Sequence, residues 1–369
     1  MTGVKGRGPS ILGTLARFRA RPRGMLFGTL GNPRPVGTRL SGAEIRAVRE
    51  RLKPTLIRLN QQRQTWFEAT ENQLRLKMGA AALAGLVLGW FGMGSVMIGL
   101  ALMVGGAFFA FLMSVTKTDE TARAQTKHAV LAEMADELLG LISVPPEART
   151  EALSKEVVER WRLLPPVRVI TVDDRLVGER DGFDVAVSRV GFQFGGSSNV
   201  ELTQGDGMVF VVVEITDPGA RGADEDTFTI VLGTDAPAML RGAPRLTYGL
   251  AEAESGDAGF DARYSVFGDP APLSKEVRAA FAPLEAVARC DKTGTRDVSA
   301  GGGLRPVVLM RPGHLVVMTP VPVFDGALEP PPYWEPLEPG TLIAAFASDL
   351  AILDDHLAAA MALRAARRP

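Results

Sequence analysis

A single cysteine, Cys290, stands in 369 residues, so no intramolecular disulfide can form and no cysteine metal cluster exists. That scarcity fits a reducing compartment. Only three histidines occur, His128, His314 and His356. No serine sits in a G-x-S-x-G context, and no pair of side chains stands out as an acid and its base. The opening residues, MTGVKGRG and onward, are polar and arginine-rich. They lack the apolar core and cleavage site of a signal peptide, a glycine for myristoylation and a cysteine for a lipid. The largest absence is of charge: from Met78 to Thr116, 39 positions carry no charged side chain.

That block organises the rest. A spanning helix needs about 20 apolar residues, and one helix of this length would run roughly 58 Å, more than a single crossing absorbs by tilting. Gly92-Met93-Gly94-Ser95 predicts a turn inside it. The block therefore reads as two helices, Met78–Phe91 and Val96–Val115, in a transmembrane hairpin with Trp90 and Phe91 at the far interface. The first arm is short and needs Leu74 and Leu76, with Lys77 snorkelling. The alternative is one span at Val96–Val115 behind an interfacial first segment. Arg58, Arg63, Arg75 and Lys77 precede the block, and Lys117, Arg123 and Lys127 follow it. Positive residues on both sides favour both ends in the cytoplasm. Gly85 and Gly89, Ala101 and Gly105, and Gly106 and Ala110 are each four apart, a spacing that lets helices approach closely. The contact would be within the hairpin or between copies through Gly85, Gly89 and Gly105; ordinary membrane-helix glycine is the plainer reading.

Charge is split along the chain. Residues 1–77 carry 16 Lys/Arg against 4 Asp/Glu, net +12, which leaves −13 for the remainder of a chain whose total is −1. A basic front suits anionic lipid headgroups. Nucleic-acid binding is the rival reading of such a tail, and the adjacent apolar block favours the lipid, so no nucleic-acid partner is expected.

Taken in order, residues 1–41 form a flexible basic tail. Residues 42–77 form an amphipathic helix, with Ser41 and Glu44 as a capping box and Ile45, Val48, Leu52, Leu56 and Leu59 on one face. Pro54 should kink or interrupt it. After the hairpin at 78–116 comes a helical connector at 117–164, opening on Thr118-Asp119-Glu120 and striped by Leu131, Met134, Leu138 and Leu141. A further helix spans Glu147–Trp161, and Pro165-Pro166 marks the boundary of an α+β domain at 165–369. There the period changes from helix to strand. Val167–Thr171 alternates, and Asp181-Gly182 predicts a hairpin between Leu176–Arg180 and Phe183–Val190. Met208–Ile215 is apolar enough for a buried strand. Further strands are expected at Thr227–Leu232, Arg263–Phe267, Arg305–Met310 and His314–Thr319, with surface loops at 217–226 and 249–259. Helices are expected from Leu273 to Arg289 and from Thr341 to Arg367, the last striped by Leu342, Phe346, Leu350, Leu353 and Leu357. The fold class is thus α+β, mostly antiparallel, with a terminal packing helix.

Several signals resemble chemistry. Asp291-Lys292-Thr293-Gly294-Thr295 matches the phosphorylation motif of P-type cation-transporting ATPases, whose aspartate takes a phosphoryl group. That aspartate should end a strand, whereas Lys275–Cys290 here predicts a helix. Gly205-Asp206-Gly207 echoes another motif of that family, in the wrong order and followed by apolar residues. The DKTGT therefore reads as a polar loop. Asp349, Ile352 and His356 share a helix face beside Asp354-Asp355, so a ligand pair is conceivable, but no second ligand cluster accompanies it and a solvated helix flank is favoured. His128 and His314 read as structural. Gly301-Gly302-Gly303 precedes a strand instead of opening a helix, which is wrong for a phosphate cradle. No catalytic, cofactor or metal site is predicted.

The order of parts resembles the bacterial membrane-protein family catalogued as domain of unknown function 3137. The residues that carry the likeness are Asp173-Asp174 ahead of LVGERDGFDVAV (Leu176–Val187), FDARYSVF (Phe260–Phe267) before the Leu273 helix, and Leu304–Asp325 before the closing helix. Pro270–Val277 (PAPLSKEV) departs from that family's pattern. The resemblance implies two close membrane helices followed by an α+β domain, and it implies no catalytic residues. The expected protein is a multi-pass inner-membrane protein, with both ends cytoplasmic, whose domain binds or scaffolds. A small-ligand or lipid-binding domain is the alternative, and an enzyme using Asp291 or Asp349/His356 the third.

Overall fold

The computed structural model describes residues 40–92, 94–194, 207–220, 227–236, 238–288, 305–320, 330–333 and 335–367. It divides into two compact units. One holds residues 45–131 and 328–343, the other residues 132–327 and 344–369 with a short piece at 35–44.

The first unit is built on two long helices, α1 (Gly42–Val87) and α2 (Val96–Leu139). α1 opens as its sequence dictates. The Ser41 amide donates to Glu44 Oε2 at 2.7 Å and the Glu44 amide to Ser41 Oγ at 3.3 Å, the two halves of a capping box. Val48, Leu52, Leu56 and Leu59 are buried, as their spacing requires. Pro54 does not interrupt the helix. It lies on the exposed side, and the buried stripe runs past it undisturbed. Thr118-Asp119-Glu120 begins no new helix either, because α2 passes through it unbroken.

Between the helices a π turn (Leu88–Gly92) and Gly94, at φ +64°, reverse the chain. Glycine is needed there because an L side chain rarely adopts that angle. The Ser95 amide closes the reversal on the Gly89 carbonyl at 3.1 Å. Register is kept for a long way down. A Cβ placed on Gly89 would meet Gly99 Cα at 2.0 Å, and one on Gly85 would meet the Leu102 backbone at 2.6 Å. Much lower, Gln62 meets Gln125 and Arg63 meets Thr126, each at 3.3 Å. Going from residue 63 to 89 on α1 matches going from 126 to 99 on α2, so the pair is antiparallel over roughly 40 Å at about 1.5 Å per residue. Among the described residues, no helix is long and apolar enough to cross a membrane.

The second unit carries the sheet. Among the described residues, nine strands form one antiparallel sheet in the order β1-β2-β3-β4-β9-β8-β5-β7-β6. The strands are β1 (Ile142–Ser143), β2 (Val167–Arg180), β3 (Phe183–Phe194), β4 (Gly207–Thr216), β5 (Thr229–Gly233), β6 (Glu252–Ala253), β7 (Tyr264–Gly268), β8 (Val307–Arg311) and β9 (His314–Pro320). Asp181 and Gly182, both at positive φ, make the two-residue turn between β2 and β3. β6 lies within the stretch expected as a loop at 249–259, and β1 was not foreseen.

Both faces of the sheet are covered. On one, Phe192, Phe210, Ile230 and Met318 pack with Leu153, Val158, Trp161 and Leu164. The last part of the connector expected at 117–164, from Leu153 to Leu164, therefore belongs to this core, while its first part continues α2. On the other face Val185, Val187, Val213 and Val317 are buried. The last helix (Pro339–Ala366) is fixed near that face by Arg364, whose guanidinium lies 4.8 Å from the Phe183 ring centre. Cover on both sides explains why β4 is apolar almost throughout.

Two helices expected as single pieces are divided. Pro146–Ala152 (α3) and Lys155–Arg160 (α4) replace one, and Lys275–Ala279 and Phe281–Ala288 replace the other. In the second case Pro283 falls in the first turn of Phe281–Ala288, where a missing amide costs no helix bond.

Candidate functional site

The helical unit offers two surfaces with chemistry. The first is the upper part of the hairpin. Leu83, Leu88, Met97, Val104, Phe108 and Phe109 all point outward, and Phe91 near the reversal is 82% exposed. Monomeric soluble proteins rarely leave a contiguous apolar area of this extent open. Beyond the first turn of each helix the backbone amides of the arms bond along the helix, so most of each arm can leave water without stranding polar groups. The Gly85 and Gly89 spacing serves contact within the hairpin. Of the three glycines considered for contact between copies, only Gly105 has open space around it.

The second surface lies lower, where an extended proline-rich segment crosses the helix pair. Pro330, Pro331 and Pro332 have no amide hydrogens, so only their carbonyls need partners. Arginines supply them. Arg63 donates from Nη2 to the Pro331 carbonyl at 2.8 Å and also to the Pro332 carbonyl. Arg123 Nη1 donates to the Pro330 carbonyl at 3.4 Å. The next residue, Tyr333, does have an amide, and it donates to Asp119 Oδ1 at 3.0 Å. Four residues on, the Leu337 amide donates to Asn60 Oδ1 at 3.0 Å. Asp119 is held in turn by Arg123 Nε at 2.7 Å.

The Tyr333 ring is buried with Leu74 and Ala122, beside Trp66, Phe67 and Met78. Burial pushes its hydroxyl above the ordinary tyrosine range, opposed by a hydrogen bond with Thr70. Arg63 is only 2% exposed. Burial pulls its guanidinium down to about 10, against the favourable charge of Asp119. Its place was visible in the sequence, unremarked: Arg63 continues the buried stripe four residues after Leu59. A cation on a core stripe needs acceptors.

Polar clusters in the sheet unit look structural. Asp174, 1% exposed, lies between Arg149 and Arg189, each at 3.8 Å, and Arg189 also reaches Asp173 at 3.0 Å. The register shift between Val172 and Asp174 coincides with the inward turn of Asp174, while Asp173 stays partly exposed. Arg175 joins Ser188 at 2.9 Å and Glu214 at 2.6 Å across three neighbouring strands. Glu285 accepts from the Tyr264 hydroxyl at 2.7 Å and from Arg263 at 2.8 Å. Burial, then the hydrogen bond and charge of Glu285, raise the Tyr264 hydroxyl.

Among the described residues, those singled out in the sequence do not assemble into a site. Cys290, Asp291 and the rest of the DKTGT motif, Gly205-Asp206 and Gly301-Gly302-Gly303 lie outside the described residues. Asp349 and His356 do not sit on a solvated flank; both are buried. His356 Nδ1 meets the Ile352 carbonyl at 2.7 Å, and its Nε2 has no hydrogen-bond partner among the described residues. Burial brings its imidazole down to about 4. Asp354 pairs with Arg180 at 2.7 Å. His128 is half-buried on α2, and His314 opens β9 opposite Arg311. Among the described residues, no group of three or more His, Cys, Asp or Glu is placed to hold a metal ion. Comparison with family models, curated proteins and solved structures finds no match to this chain.

Proposed function

We propose that this is a membrane-anchored binding or scaffolding protein, seated in a bacterial inner membrane by the hairpin at 78–116, with the α+β domain on the cytoplasmic side. One observation carries the reading: the outward-facing apolar side chains from Leu83 to Phe109 lie on two helices whose backbones, apart from the reversal and the first turn after it, are paired along the helix. A bilayer covers such a surface at little cost in unsatisfied hydrogen bonds. The charge-free block as a whole is 39 residues, and it includes positions 110–116, whose side chains lie outside the described set. Antiparallel pairing of its arms supports two short crossings over one crossing with an in-plane segment. Arg75 and Lys77, exposed below the first arm, favour the anionic inner leaflet, as does the basic front at 1–77. Arg63 and Arg123, by contrast, are engaged with the proline-rich segment. No catalytic constellation among the described residues argues for an enzyme.

Protease protection of a C-terminal tag in vesicles of known orientation tests this. Cleavage in inverted vesicles and protection in right-side-out ones is the expected result. Recovery of the protein in the soluble fraction, away from floated liposomes, would sink the membrane placement.

A further inference from the structure

We infer that the cleft between α1 and α2 at the level of Arg63 is a binding site for extended peptides in which a run of prolines is followed by a tyrosine, and that residues 330–337 of this chain occupy it as an exchangeable resident ligand. This extends the binding-module reading by naming a site and a ligand class, and it does not depend on the membrane placement.

The argument rests on how the cleft grips. Five polar contacts run from helix side chains to strap backbone groups: Arg123 to carbonyl 330, Arg63 to carbonyls 331 and 332, Asp119 to amide 333, Asn60 to amide 337. Recognition of this kind reads main chain, so it fits any peptide that presents acceptors and donors in the same order. The order is selective nonetheless. Arginine donors face three residues that have acceptors and no amide, and the carboxylate faces the first residue that has one. A non-proline at 331 or 332 would bring an amide needing its own acceptor. The consecutive prolines also arrive already extended, which lowers the ordering cost of binding. Tyr333 adds the anchor, its ring buried beside Leu74 and Ala122. The two helices are also joined directly at this level, by Gln62–Gln125 and Arg63–Thr126. Tethering gives the resident segment an effective concentration on the order of mM, so a free peptide enters only when the strap is out.

The test uses the full chain in detergent micelles and a labelled peptide of sequence EPPPYWEPLEP, residues 329–339. In a variant whose residues 330–337 are replaced by an equal-length Gly/Ser stretch, fluorescence polarisation should show saturable binding at least tenfold tighter than to the native chain. Adding Arg63→Met to that variant should weaken it tenfold or more, and a peptide with Tyr333→Ala should bind comparably poorly. A folded Gly/Ser variant that ignores the peptide overturns the proposal. Hydrogen exchange on the native chain decides independently of that variant's folding. The Tyr333 and Leu337 amides should exchange at least tenfold faster than the best-protected amides of α1; exchange only with global unfolding overturns the idea of a releasable occupant. Both readouts are indifferent to vesicle topology, so failure here and failure of the membrane placement are separate results.

Discussion

The helical hairpin and the nine-stranded sheet put opposite kinds of group in the open. In the sheet unit the apolar side chains go inside on both faces, and the buried charges are matched with opposite charges, Asp174 with Arg149 and Arg189, Glu214 with Arg175. In the helical unit the upper apolar side chains face out, and the buried cation, Arg63, leans on neutral carbonyls with Asp119 contributing at a distance. A sheet must recruit neighbours to satisfy its backbone, so its core forms around tertiary contacts. A helix satisfies its own backbone and leaves its side chains free to face whatever solvent is present. The difference teaches that burial of apolar residues is enforced by tertiary contacts in the sheet, whereas a helix pair can leave them exposed without breaking its own backbone pairing.

Experiments that unfold one unit and spare the other would sharpen the contrast. A variant keeping Trp161 as its only tryptophan reports the sheet unit, because Trp161 packs in its core. The largest effect should come from Arg149→Met, which leaves Asp174 beside a single remaining arginine. Loss of one partner of a buried ion pair costs about 3–5 kcal/mol, so the Trp161 transition in urea should move to much lower midpoint while hairpin helicity persists.

Acid should act on the sheet unit next. His356 titrates at about 4 in the fold against 6.5 when unfolded. Because the unfolded chain takes up the proton first, stability is full above pH 6.5 and falls as pH drops through 4, by up to about 3 kcal/mol. His356→Leu should flatten that part of the pH profile; an unchanged slope would remove His356 as its source.

In the hairpin, one substitution made at two glycines should have opposite signs. Gly89→Ala drives a Cβ into the Gly99 backbone, and since backbone cannot rotate away, about 1–3 kcal/mol of overpacking cost is expected. Gly105→Ala meets nothing within 4 Å and should stabilise by roughly 0.5–1 kcal/mol through helix propensity. Thermal unfolding in micelles compares the two; equal behaviour would mean the arms do not touch. Arg180→Ala should matter least. Its pair with Asp354 is about one-third exposed, and such pairs are worth at most about 1 kcal/mol.

What the sequence made legible was local. Ser41 with Glu44, Asp181-Gly182, the apolar run of β4 and the stripe Leu342–Phe346–Leu350–Leu353–Leu357 each announce their element within a few residues, and each stands where expected. Pairings that depend on distant partners were silent. Arg63 and Pro331 are 268 residues apart, and a side chain gripping a carbonyl leaves no spacing to read. His356 was masked by its neighbours: Asp354-Asp355 suggests water, yet the turn that exposes them brings His356 inward with Leu353 and Leu357. Asp119 looked like the start of a helix because acids favour that place; instead its carboxylate serves the strap.

The strap also imposes an order of events during synthesis. Both walls of the cleft are complete by about residue 126, and the segment that fills it begins at Pro330. At roughly 5–20 residues per second, the ribosome needs on the order of 10–40 s to reach it. If the helix pair folds as it emerges, the cleft stands vacant for that interval, and under the binding proposal a passing proline-rich segment would then meet no resident competitor.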